Sequence, residues 1–175
     1  MEIKAGFLQG VRCVPTKIFG KRPSPLDISL IVIHNITLPP ALFNTPYVDE
    51  LFTMTLDPNE HPYFKAIAHL ELSTHLFINR QGRITQYVSF LDRAYHAGRS
   101  SYQGRVECND FGIGIELEGT DYCPYTKEQY QSLDECIKAI NKAYPDTVGH
   151  IAGHNEVAPL RKSDPGAFFD WQRYR

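Results

Sequence analysis

The run Ser-Leu-Ile-Val-Ile-His at residues 29–34 narrows the choice of fold more than any other stretch of this chain. It is short, dense in β-branched residues and lacks the polar alternation of a strand with one wet face. It therefore reads as a central strand covered on both faces, the kind found inside an α/β sheet. His34 ends it, Asn35 follows, and Pro39-Pro40 break the chain. A histidine in that place is either a hydrogen-bonded residue at the edge of the core, the commoner case, or a ligand presented at the rim of a sheet.

A second strand is read from Phe111 to Glu118. Phe111, Ile113, Ile115 and Leu117 alternate with Gly112, Gly114, Glu116 and Glu118, so one face is apolar and can pack on a helix. The glycines clear the other face of side chains until Glu116, which points to a lined cleft, because a glycine inside a strand often marks a close approach. Thr126 to Tyr144 predicts the long helix. Thr126 and Gln129 have capping-box spacing, Tyr130, Leu133, Ile137, Ile140 and Tyr144 form one buried stripe, and Pro145 stops it. Thr45 to Leu56 predicts a shorter helix capped by Thr45. Thr74–Asn79 and Ile84–Val88, joined by a Gly82 turn, predict a hairpin. Ala94–Gly98 reads as a short edge strand, and residues 1–28 as an irregular leader packed on the domain.

The segment Gly153–Trp171 carries His154, Lys162 and Asp164 among Pro159, Pro165 and Gly166. Proline denies it a regular hydrogen-bond ladder, so the three groups sit on an irregular loop, where functional side chains concentrate. His154 follows an apparent strand, VGHIAG. Hydrolytic zinc sites use three protein ligands and leave a position for water. His34, His154 and Asp164 would make such a set, whereas His150, with Gly149 and Gly153 beside it, reads as a core or outer residue. His61, His69, His75 and His96 read as structural or substrate-facing.

At 175 residues with 42% hydrophobic content, the chain is one domain with a real core. A net charge of -2 gives no electrostatic reason for nucleic acid or a membrane surface. No apolar run approaches the roughly 20 residues that span a bilayer, and the first residues lack an apolar signal core. Cys13, Cys108, Cys123 and Cys136 have no paired spacing, which fits reduced thiols in a cytoplasmic protein. The expectation is a cytoplasmic monomer.

The motifs IVIHN, YQGRVECNDFGIGIELEGTD, GHNEVAP and RKSDPG, in that order, resemble the zinc-dependent N-acetylmuramoyl-L-alanine amidase family over about Leu30 to Arg173. The likeness is greatest to members that act on 1,6-anhydromuropeptides in cytoplasmic peptidoglycan recycling. The resemblance implies a single α/β domain over 29–175, with a mixed central sheet flanked by helices, related to the peptidoglycan recognition proteins. It also implies Zn2+ on His34, His154 and Asp164, with Glu116 and Lys162 as the catalytic pair and a muropeptide as substrate. Asn35, Tyr95, His96 and Arg105 are candidates for substrate contact. Glu71 and Glu107 stand where relatives often have basic residues, and Tyr95 where many have Trp. A non-catalytic binding module on this fold commonly lacks a zinc ligand; here all three are present.

Overall fold

The apolar run at 29–34 belongs to a seven-residue strand, second from one edge of a six-stranded sheet. The computed structural model describes residues 1–175. In chain order the sheet uses β1 (Arg12–Cys13), β2 (Leu30–Ile36), β3 (Leu76–Ile78), β4 (Ile84–Gln86), β5 (Gly112–Glu118) and β6 (Ile151–Gly153). Their spatial order is β6-β2-β5-β3-β4-β1. β5 runs parallel to both β2 and β3, β6 is parallel to β2 and β1 to β4, whereas β3 and β4 form the expected antiparallel hairpin. The fold is therefore α/β with a mixed sheet, and Leu30 to Ile33 are wholly buried inside it.

One face of the sheet is covered by α2 (Lys127–Ala143), whose Tyr130, Leu133, Ile137 and Ile140 pack on Ile31, Ile33, Leu76, Ile113, Ile115 and Leu117. The predicted capping box is present, with Gln129 N donating to Thr126 Oγ1 and Thr126 N to Gln129 Oε1, each at 3.1 Å. Gln129 Nε2 also donates to Ile78 O and Glu118 O, pinning the helix start to the sheet. Thr126→Ala is expected to cost about 1–2 kcal/mol. In urea unfolding, the midpoint should fall while the slope stays constant.

The opposite face carries two apolar clusters with a gap between them. One gathers Val48, Leu51 and Phe52 of α1 (Tyr47–Thr53) with Phe64, Phe77 and Tyr87. The other joins Leu30, Val32, Ala97, Cys108, Phe111 and Val157. Polar residues on this face, His34 and Glu116, occupy register-paired positions near the C-terminal ends of β2 and β5. Such strand ends are where open α/β sheets bind ligands.

Three sequence expectations differ here. α1 is shorter than 45–56, and Thr45 does not cap it; its hydroxyl donates to Leu38 O and Pro46 holds the cap position. Ala94–Gly98 is not a strand, because the amides of His96 and Ala97 both donate to the Asn109 side chain, at 3.1 and 2.8 Å. Residues 1–28 hold four two-residue strands, one of which is the sheet edge β1. Elements that short show no period. Leu8 enters the main core, and Arg22, 4% exposed, runs beneath the sheet's lower end.

Candidate active site

The gap between the two clusters opens into a cleft of about 850 Å3 lined by His34, Asn35, Tyr95, His96, Glu116, His154, Lys162 and Asp164 among others. Local structure delivers each group. β2 presents His34, β6 ends at Gly153 so that His154 opens α3 (His154–Val157), and the following loop returns Asp164 to both histidines. His34 Nδ1 lies 2.9 Å from His154 Nδ1 and 3.2 Å from Asp164 Oδ2, and His154 Nδ1 lies 3.0 Å from the same oxygen. Ligand atoms on a tetrahedral zinc, at about 2.0–2.1 Å from the ion, stand roughly 3.3 Å apart. The donor set and its spacing fit a divalent metal.

The protonation states agree. Burial lowers His34 to about 4, opposed by the adjoining Asp164 carboxylate, so the ring is neutral and has a lone pair to offer. Burial would raise Asp164, but the His154 and His34 rings set against its Oδ2 outweigh that and hold it well below the usual carboxylate range. His154 Nε2 faces Ala97 O at 3.2 Å, which places its proton there and leaves Nδ1 free.

Glu116 is buried at 8% exposure, and its Oε2 has no hydrogen-bond partner. Burial, reinforced by the Asp164 carboxylate and opposed by the Lys162 ammonium, raises it well above the usual range. An unengaged carboxylate with raised basicity beside a metal-type donor set is equipped to take a proton. Lys162 is exposed on the loop that follows α3, its amide turned onto Ala158 O.

The other expected contacts divide. Tyr95 lines the cleft, with the Arg93 guanidinium 5.5 Å above its ring. Asn35 also lines it, but both hydrogens of Nδ2 are engaged, to Asp121 Oδ1 at 2.8 Å and Pro165 O at 3.2 Å. Tyr125 Oη donates to the same carbonyl, so the two brace the Asp164 loop. Arg105 is not brought to the cleft. It pairs with Asp27, donates to Ser29 and stacks on Phe111, at the far ends of β2 and β5. Gly114 does not leave open space: a Cβ there would lie 2.5 Å from the His96 ring, which fills the cleared face. Glu107 faces Arg93 at 3.7 Å, and Glu71 is exposed. An apolar wall including Leu51, Phe52, Tyr63, Ile67, Leu70 and Leu72 was missed in the sequence. Its members come from α1 and from a short 3-10 turn at Pro62–Ala66 with the segment after it, so no single periodicity joins them.

A mixed α/β sheet that gathers two histidines and an aspartate at spacings suited to a metal, beside an unengaged carboxylate at its strand ends, fits a class of hydrolytic enzymes. Residues 24–167 match the family described as N-acetylmuramoyl-L-alanine amidase, and the chain belongs to that family and is such an amidase. It is 53% identical over 175 residues to the 1,6-anhydro-N-acetylmuramyl-L-alanine amidase AmpD of Citrobacter freundii, covering 100% of this chain and 94% of the relative. The crystal structure of a Se-Met AmpD derivative superposes with a TM-score of 0.97 at 52% identity, covering 100% and 98% of the two chains. AmpDh3 from Pseudomonas aeruginosa, in complex with anhydromuramic pentapeptide, gives a TM-score of 0.66 at 27% identity, over 96% of this chain and 64% of that one.

Proposed function

We propose that the protein is a zinc amidase of peptidoglycan recycling. It would cleave the amide between the lactyl group of 1,6-anhydro-N-acetylmuramic acid and L-alanine of the stem peptide, in the cytoplasm. The observation that carries the reading is the His34–His154–Asp164 cluster beside the unengaged Glu116 carboxylate. The near-complete likeness to AmpD proteins supports the anhydro sugar, and four unpaired cysteines support a reducing compartment.

When bound, zinc supplies Lewis acidity at the carbonyl and lowers the pKa of a water. Glu116 takes the proton from the attacking water as the new C–O bond forms, then gives it to the alanine nitrogen as the C–N bond breaks. The products are a lactyl carboxylate and a free α-amine. Lys162 opposes the negative charge that builds on the carbonyl oxygen, a contribution of about 3 kcal/mol for a well-placed donor. The Tyr95 ring and the apolar wall supply contact for sugar and peptide.

The test is release of free stem peptide from purified anhydromuropeptide. Chelation should abolish release and added zinc should restore it. Absence of release from a protein with zinc demonstrably bound would sink the assignment.

A further inference from the structure

Residues 96 and 97 lie under both histidines of the cluster, and each meets one of them. His34 Nε2 is 3.0 Å from His96 Nδ1, and His154 Nε2 is 3.2 Å from Ala97 O. If both Nδ1 atoms are to offer lone pairs to a metal, both protons must sit on Nε2. His34 then donates to the His96 ring and His154 to the Ala97 carbonyl. An outer acceptor of this kind fixes the tautomer and orientation of a ligand imidazole. Here both acceptors come from one dipeptide.

We infer that His96–Ala97 is the outer brace of the metal centre, and that His96 is a positioning residue acting through His34 rather than a substrate contact. This rests on the zinc reading above. The brace is built into the fold from three sides. Gly114 leaves the space that the His96 ring occupies, an added Cβ lying 2.5–2.8 Å from its atoms. The buried Asn109 Oδ1 accepts the amides of both brace residues. Arg161 Nη2 donates to Ala97 O at 2.6 Å and to Arg99 O at 2.9 Å, so Ala97 O serves the His154 ring and Arg161 with its two lone pairs. Its guanidinium lies 3.3–3.5 Å from where a Gly98 Cβ would be. Arg161 precedes Lys162, so the same contact ties the lysine's loop to the brace.

The experiment measures zinc affinity by chelator competition, with thermal unfolding of the metal-free protein as a parallel readout. Wild type is compared with His96→Phe, His96→Asn and Gly114→Ala. Phe fills the ring's space without an acceptor, whereas Asn Oδ1 stands near the position of Nδ1. His96→Phe is expected to weaken zinc roughly 10–100-fold, the range for lost outer partners, and His96→Asn to recover most of that loss. Gly114→Ala keeps the imidazole but displaces it, and should weaken zinc as Phe does, which covers the case of a Phe variant that does not fold. Unchanged zinc affinity in His96→Phe and Gly114→Ala, with only unfolding temperatures lowered, overturns the brace and leaves the zinc reading standing. A wild-type protein that takes up no zinc overturns both.

Discussion

Glu116→Gln is expected to reduce stem-peptide release by about 10²–10⁴-fold, the usual worth of a positioned general base, while zinc affinity stays within a few-fold. The amide keeps the volume of the carboxyl and removes its basicity, and no donor of the metal cluster belongs to Glu116. The same substitution should stabilise the metal-free protein at neutral pH. Burial raises Glu116 well above its ordinary value, with Asp164 adding to the effect, so the folded state holds this proton more tightly than the unfolded chain. Stability from such a group is fully present below the unfolded pKa and is lost as pH rises through the folded one. At neutral pH, above the unfolded pKa, the wild type has therefore lost part of that stability, and the Gln variant, which has no such proton to lose, has not. Unfolding of both metal-free proteins between pH 4 and 8, values chosen to bracket the roughly 4.3 of a free Glu, should show the curves separating as pH rises, Gln above wild type. Curves that run parallel across that range, or an active Gln variant, would remove Glu116 from the role of base. The pairing of lost activity with gained stability is what a functional carboxylate held in an unfavourable place produces.

How much of this was legible in the sequence depends on whether side chains or backbone carry the information. The strand at 29–34, the alternation at 111–118 and the capping box at Thr126 were readable because periodicity and cap chemistry are written in side chains. His34, Glu116, His154 and Asp164 were readable as chemistry-bearing types at element ends. The brace was not. Ala97 acts through a carbonyl, a group every residue has, and the amides of 96 and 97 bond to a side chain rather than to a strand. A five-residue stretch of small and aromatic residues therefore read as an edge strand. Gly114 was identified as clearing space, but the sequence had no means of saying that His96, 18 positions earlier, would fill it. Asn35 stood beside His34 and looked free for a ligand, yet its amide is taken by Asp121 and by the carbonyl next to Asp164. Arg105 was drawn in by a motif that includes Glu116, although the strand between them spans the sheet and puts the two at opposite ends.

Arg22→Ala is expected to destabilise the fold by about 3–5 kcal/mol, the range for stripping several buried acceptors of a charged donor. Nε donates to Phe90 O at 3.1 Å, Nη1 to Asp110 O at 2.9 Å and, more weakly, to Asn109 O at 3.4 Å, and Nη2 to Gly112 O at 3.0 Å. His75 beside it is a neutral partner rather than an acceptor. The Gly114 amide donates to its Nδ1 and its Nε2 faces Asp92 O, so the contact from Arg22 joins two donors. Burial lowers Arg22, but Tyr144 and the carboxylates of Asp27, Asp92 and Asp110 oppose it and hold the value at about 10, so it remains ionised at neutral pH. The desolvation cost recovered on its removal is smaller than the loss of the charged donor to four carbonyls. Arg22→Lys should recover less than half of the stability, because an ammonium presents its donors from one point and cannot span acceptors arranged around a planar fork. The effect should also reach the metal. Arg22 holds the carbonyl of Asn109, the Asn109 side chain holds the amides of 96 and 97, and those residues receive the protons of His34 and His154. Urea unfolding and zinc competition on the same Arg22→Ala preparation should both shift, whereas Thr126→Ala, on the other face of the sheet, should move unfolding alone. Equal zinc affinity in wild type and Arg22→Ala would show that the leader's arginine supports the fold without setting the site.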